Sequence, residues 1–199
     1  MTLEQQREAI LSGDPSRAMP ALAGLRQLPP DQAVPLLLLG LQQSAFMVRS
    51  LSCAGLGVKP NEAGWQALVV ALEGDEDANV RAEAANALVS HSLARAWPLL
   101  RRAFERNPEW LVRCSILSAV AEHAEMQPGD LLDLGQLALA DGDGTVRAGA
   151  AEILGRLVRD GSQAQGAAPW AIEARAALGA LQQDKDHRVV AAALNGLQG

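Results

Sequence analysis

One phrase recurs along this chain, and it constrains the fold more than any other feature. Residues 77–88 read Asp-Ala-Asn-Val-Arg-Ala-Glu-Ala-Ala-Asn-Ala-Leu, and residues 143–154 read Asp-Gly-Thr-Val-Arg-Ala-Gly-Ala-Ala-Glu-Ile-Leu. Looser copies are anchored at Val48, Val112 and Val189. Successive anchors Val48, Val80, Val112, Val146 and Val189 are therefore 32, 32, 34 and 43 residues apart. Self-similarity at that period is the mark of a repeat protein, with one helical hairpin per unit stacked on its neighbours. The expected fold is all-α, an α-solenoid of about six helical hairpins.

Each hairpin is expected to run helix A, acidic turn, helix B. In the clearest copy Trp65, Leu68, Val69 and Leu72 recur at helical spacing, Gly74 breaks the run, and Asp77 stands where a side-chain oxygen can cap the next helix. Along helix B, Val80, Ala84, Ala85 and Leu88 share one side. Val112, Ile116, Leu117 and Val120 repeat that set, as do Val146, Ala150, Ala151 and Leu154. The small alanines allow close helix approach. The first helices of the six hairpins are placed at residues 3–11, 31–42, 61–73, 93–106, 129–140 and 169–183. A single repeat domain spans 1–199, with approximate units 1–28, 29–59, 60–92, 93–127, 128–161 and 162–199. Trp65 and Trp97 each precede their anchor valine by 15 residues, as Leu131 precedes Val146, a periodicity that favours packing between layers.

The ends depart from the pattern. Arg17 stands where the first copy calls for valine, which suits a polar cap, and Val190 replaces the last arginine, where no following unit needs a bridge. Residues 160–168, rich in Gly, Ser and Gln, lengthen the last spacing and are expected to form a mobile loop, either as a tolerated insertion or as a place where a partner is gripped.

A formal net charge of −6 and a pI near 5.1 argue against nucleic acid as a partner, because phosphate binding needs a basic face. Arg95, Arg101, Arg102 and Arg106 form a local exception, read either as a solvated flank or as a contact for an acidic partner. Cys53 and Cys114 lack metal-ligand spacing and read as core residues on different layers. No stretch is long and apolar enough to span a bilayer, and the first residues do not resemble a signal peptide, so a cytoplasmic location without membrane association is expected. His123 with Glu122 and Glu125 does not form a converging set, because side chains adjacent on a helix diverge. No catalytic residue, cofactor or metal site is assigned.

Two residue sets follow from the repeat. Asp75 precedes Arg81 by six residues and Asp141 precedes Arg147 by six, while Asn107 and Gln43 hold the same place before Arg113 and Arg49. A loop carboxylate or amide and a first-turn guanidinium at fixed separation can bridge within or between units, so Asp75, Arg81, Arg113, Asp141, Arg147 and Arg49 are assigned to inter-repeat structure. The alternative is that the four arginines meet a partner's carboxylates. Positions two, three, six and ten after the anchor valine are expected to point away from the core, giving Glu83, Asn86, Ser90, Ser118, Glu122, Glu152, Arg156 and Asn195 as a polar, partner-facing track.

The pattern Asp-x-Asp-x-x-Val-Arg-x-x-Ala-Ala-x-x-Leu at residues 75–88 and 141–154 resembles the HEAT-like repeats of the phycobilisome bilin-lyase type. That resemblance implies either a non-enzymatic scaffold presenting a concave helical face to a protein, or a bilin lyase, lyase subunit or phycobilisome-degradation factor acting on phycobiliproteins. The implied partners are a phycobiliprotein or a second repeat chain. Two enzymatic relatives in this broad class are set aside. The His-Glu dipeptides of deoxyhypusine hydroxylase are missing, since Ser92, Ala124 and Arg188 follow the three histidines, and the basic face of the DNA glycosylases is contradicted by the charge. The expected function is a protein-binding scaffold or adaptor.

Overall fold

The computed structural model describes residues 1–163 and 168–198, and in residue 163 the backbone alone. Twelve α-helices and no strand occur among them. They belong to two compact units, Met1–Ser115 and Ile116–Gly199.

The first unit holds α1 (Leu3–Ile10), α2 (Pro15–Gly24), α3 (Pro30–Gly40), α4 (Phe46–Gly57), α5 (Glu62–Gly74), α6 (Ala78–His91), α7 (Leu93–Arg106) and the start of α8 (Trp110–Ala121). Helices consecutive in sequence pack as hairpins, and each second helix also packs on the second helix before it, α2 on α4 and α4 on α6. The second unit holds the rest of α8, then α9 (Pro128–Leu139), α10 (Gly144–Gln163), α11 (Pro169–Leu181) and α12 (His187–Gln198), with α10 packed on both α9 and α12. Each unit is thus a run of α-solenoid, in which elements contact near neighbours in sequence.

The anchor valines explain the stack. Val48, Val80 and Val112 in the first unit, and Val146 and Val189 in the second, are all buried, as are Ala84, Ala85 and Leu88 on α6 and Ala150, Ala151 and Leu154 on α10. The second helices α2, α6, α10 and α12 are each started by an aspartate that accepts the N–H two residues on, whereas α4 starts at Ala45 with no side-chain cap. Asp14 takes it from Ser16 at 2.8 Å, Asp77 from Asn79 at 2.8 Å, Asp143 from Thr145 at 2.7 Å and Asp186 from Arg188 at 2.9 Å. Between α1 and α2 the chain turns at Gly13, whose φ of 73° a side chain would resist. Arg17, in the valine position of that first copy, is exposed.

The second helices come closest where side chains vanish. A Cβ on Gly57 of α4 would sit 3.0 Å from the Ala87 methyl of α6, and one on Gly155 of α10 would sit 2.8 Å from the Gly196 Cα of α12. Gly57 and Gly155 are both the ninth residue after an anchor valine, and Ala87 and Gly196 both the seventh, so one crossing recurs in the two units. At the far end of α10 a loop was expected from residue 160. Instead the helix continues through Gln163, with the Ser162 hydroxyl donating to the Val158 carbonyl at 2.8 Å. Gly161 lets this last turn lie against Ala171 and Trp170 of α11, so packing overrides the turn-like composition. Residues 164–167 of that expected loop lie outside the described residues.

Two glycine substitutions should move stability in opposite directions. Gly155→Ala forces α10 and α12 apart and is expected to cost about 1–3 kcal/mol. Gly179→Ala, within α11 with open space around it, is expected to gain about 0.5–1 kcal/mol from the stiffer unfolded chain. Urea midpoints of the two variants check this, and equal shifts would refute the crossing.

Candidate functional site

The four assigned arginines each bond within their own hairpin at the start of a second helix, and Arg49 and Arg147 also reach the hairpin that follows. In each, Nη1 donates to the main-chain carbonyl six residues back: Arg49 to Gln43 at 3.0 Å, Arg81 to Asp75 at 2.6 Å, Arg113 to Asn107 at 2.7 Å and Arg147 to Asp141 at 2.9 Å. The bond within the hairpin therefore goes to backbone, whatever side chain stands at that position. The carboxylate is used by the preceding hairpin. Arg49 Nε and Nη2 donate to Asp75 Oδ2 and Oδ1 at 2.8 and 3.0 Å, and Arg147 makes the same pair of bonds to Asp184 at 2.7 and 2.9 Å. Both pairs are nearly enclosed, with side-chain exposures of 9% and 11% for Arg49 and Asp75 and 8% and 11% for Arg147 and Asp184. The hydrogen bonds from Arg147 hold the Asp184 carboxyl below the ordinary carboxylate range.

Each carboxylate has a second duty. Asp75 Oδ1 also accepts the Asp77 N–H at 2.9 Å, and Asp184 Oδ1 the Asp186 N–H at 2.8 Å; Asp141 Oδ1 takes the Asp143 N–H at 2.9 Å. The first aspartate of Asp-x-Asp shapes the turn and the second caps the helix. At the corresponding place in the next turn stands Asn107, whose Oδ1 accepts the Glu109 N–H at 3.1 Å. Arg81 lines the same cleft as this turn, and its buried Nε finds no acceptor among the described residues.

A second ladder runs along the opposite ends of the second helices. Lys59 Nζ donates to the Arg26 and Leu28 carbonyls at 2.9 and 2.7 Å, and His91 Nε2 lies 2.9 Å from the Leu56 carbonyl, to which it must be the donor. In the second unit Arg156 Nη1 donates to Ala121 and His123 carbonyls at 2.8 and 3.0 Å. Lys59 and His91 are 11 residues after their anchor valines and Arg156 is 10 after its own, so each ties its hairpin to the free carbonyls closing the previous second helix. Three different residue types at a shifted position concealed this ladder in the sequence.

The expected partner-facing track is revised at two places. Arg156 is engaged by those carbonyls and by Asp160 at 3.2 Å, because the open C-terminus of α8 lies within its reach. Glu83 is half-buried, and burial pushes its carboxyl above the ordinary value; no hydrogen bond or ion pair reaches it among the described residues. In the first unit Asn86 is half-buried and Ser90 exposed, with its hydroxyl donating to the Asn86 carbonyl at 3.2 Å. In the second, Ser118, Glu122, Glu152 and Asn195 are exposed, and Glu122 accepts from Arg159 at 3.3 Å.

The arginine group on α7 divides. Arg95 stacks over the Trp65 ring at 4.1 Å and pairs with Glu62 at 3.1 Å, Arg101 pairs with Glu105 at 3.3 Å, and Arg102 stands 4.0 Å from Glu73. Trp65 is buried while Trp97 is half-buried. Burial pushes the Cys53 thiol up to about 12, so it stays protonated and inert at neutral pH. Among the described residues no three His, Cys, Asp or Glu side chains are grouped to hold a metal, and no helix is long and apolar enough to cross a membrane.

Residues 34–121 match the family model for HEAT repeats. No curated protein matches the chain. Among solved structures, the Escherichia coli protein YibA is similar at a TM-score of 0.69 and 17% identity over 99% of this chain and 70% of that one. A designed armadillo repeat protein in complex with the peptide (KR)4 is similar at 0.60 and 20% identity over 100% and 99%. The complex of CpcE and CpcF of phycocyanin lyase from Nostoc sp. aligns at a TM-score of 0.42 and 19% identity over 99% and 98%, a score too low to carry any argument. At these identities the likeness to solved structures concerns the fold alone, an α-solenoid.

Asp184→Asn keeps an oxygen for the turn, as Asn107 does, and removes the charge from the Arg147 pair. It is expected to cost about 3 kcal/mol at neutral pH, because it leaves a buried guanidinium unpaired. Since the folded carboxyl titrates below its unfolded value of 3.8, the pair contributes fully above that value and is lost as pH falls through the folded value. Urea titrations of parent and variant should therefore differ at neutral pH and converge in acid; equal midpoints at neutral pH would refute the pair's role.

Proposed function

We propose that this chain is a protein-binding scaffold whose second-helix faces receive a partner carrying basic side chains. The observation that supports this reading most is Glu83. Its carboxylate is half-buried on α6 with no hydrogen-bond or ion-pair partner among the described residues, and it is held there against a desolvation cost. A lysine or arginine from a partner would relieve that cost by forming a charge-assisted hydrogen bond. Asn86 and Ser90 continue the polar line on α6, and Ser118, Glu122, Glu152 and Asn195 offer exposed polar contacts in the second unit. The net charge of −6 favours approach of a basic partner. The armadillo repeat protein bound to (KR)4 is an instance of a similar fold carrying a basic peptide. Bilin attachment to a phycobiliprotein, the alternative raised by the repeat phrase, has only that phrase in its support.

Glu83→Gln separates the two roles of the carboxylate. Because burial raises the folded pKa above 4.5, ionising Glu83 lowers stability as pH rises through that raised value. The variant should therefore melt higher than the parent at neutral pH, and the gap should close below pH 4.5. Its affinity for a (Lys-Arg)4 peptide, measured by fluorescence anisotropy, should fall about tenfold. Unchanged peptide affinity in a variant that melts higher would overturn the assignment of this face.

A further inference from the structure

The arginine ladder of the first unit has one rung without a carboxylate. We propose that the cleft at this rung binds a carboxylate of an acidic peptide segment, held by Arg81, Arg102 and Arg106. In the complete rung, Asp75 gives Oδ1 to both its own turn and Arg49 Nη2, and Oδ2 to Arg49 Nε. Asn107 can do only part of this. Its Oδ1 keeps the turn through the Glu109 N–H, but its second side-chain atom is an amide nitrogen, a donor that cannot accept from a guanidinium. Arg81 is nonetheless held in the ladder orientation, with Nη1 on the Asp75 and Glu76 carbonyls at 2.6 and 3.2 Å, and its buried Nε is left without an acceptor. A buried donor without a partner is costly, and any acceptor drawn into the rung would recover part of that cost.

The rung opens into a cleft of about 540 Å³, whose walls include Arg81, Arg102, Arg106, Asn107 and Pro108. Arg102 and Arg106 are one turn apart on α7, both exposed, and flank the approach to Arg81. Two acids also line the cleft. Asp75 is already taken by Arg49, and Glu73 stands at the outer limit of pairing, 4.0 Å from Arg102. The balance at the cleft is therefore positive on a chain whose total charge is −6, so an acidic segment is drawn to this place and repelled elsewhere. A carboxylate suits the site better than a phosphate, because the partner missing from this rung is itself a carboxylate in the neighbouring one. Glu83, Asn86 and Ser90 do not line the cleft, so the site stands independently of the proposed helix-face partner.

Calorimetric titration at low ionic strength with hexaglutamate, hexaglutamine and inorganic phosphate tests the proposal on the intact chain. The parent should bind hexaglutamate and not hexaglutamine. Asn107→Asp supplies the missing carboxylate internally, so it should melt higher and bind hexaglutamate at least about tenfold more weakly. The double variant Arg102→Ala, Arg106→Ala should lose a similar factor with its melting point unchanged. In the parent the Arg81 Nε–H resonance should shift on adding hexaglutamate, and in Asn107→Asp it should not. Equal hexaglutamate affinity in parent and Asn107→Asp would overturn the site. Equal binding of hexaglutamine, or binding of phosphate without hexaglutamate, would overturn the ligand assignment.

Discussion

A guanidinium in the first turn of α4, and another in that of α10, ties together parts of the chain that would otherwise meet only through apolar contact. Arg49 shows the full arrangement: Nη1 closes its own turn on the Gln43 and Ser44 carbonyls, and Nε and Nη2 grip the turn of the following hairpin through Asp75. Planarity is what makes this work, since the five donors lie in one fixed fork and cannot be reproduced by a lysine. Once two successive turns are set at this separation, the anchor valines come into register and the helices can approach at Gly57 and Ala87, or at Gly155 and Gly196. The opposite ends of the same helices are then fixed by Lys59, His91 and Arg156 against carbonyls that a helix terminus leaves open.

Most of the fold was legible because the repeat phrase encodes it redundantly: valine burial, aspartate capping and helix length all point to the same hairpin. Residues 93–106 were placed as a helix from their spacing, and α7 spans Leu93–Arg106. The functional surface was less legible. A helical wheel places Glu83 outward, yet a wheel describes one helix in isolation, and α6 packs on both α4 and α5. The six-residue separation before each arginine drew attention to the right side chains but not to the right atoms, because main-chain carbonyls have no sequence signature. Arg156 carried the same difficulty in reverse: an exposed-looking arginine is recognised as a helix-end tie only when the neighbouring terminus is in place.

The two binding surfaces proposed for the first unit differ in origin. At Glu83 a charge is present without a partner, and at Asn107 a charge is absent where the repeat elsewhere supplies one. Both are departures from a pattern that is otherwise satisfied, and in a repeat fold such departures are the informative positions, since the structural requirement at each place is known from its neighbours. Solenoids suit this kind of specialisation, because a change in one hairpin is felt mainly by the hairpins beside it.

The spacing of the two carboxylate rungs also bears on how the chain finds its fold. Arg49 and Asp75 are 26 residues apart and Arg147 and Asp184 are 37 apart, yet the bonds at the two rungs are nearly identical. Bringing the ends together from an unfolded chain costs only the logarithm of the separation, so the longer segment adds about 0.3 kcal/mol. Closure at both rungs is local, which gives low contact order and favours rapid folding by propagation from one hairpin to the next. Extra residues can therefore enter between two rungs at almost no entropic penalty, leaving a repeat array free to acquire new sequence without surrendering the contacts that assemble it.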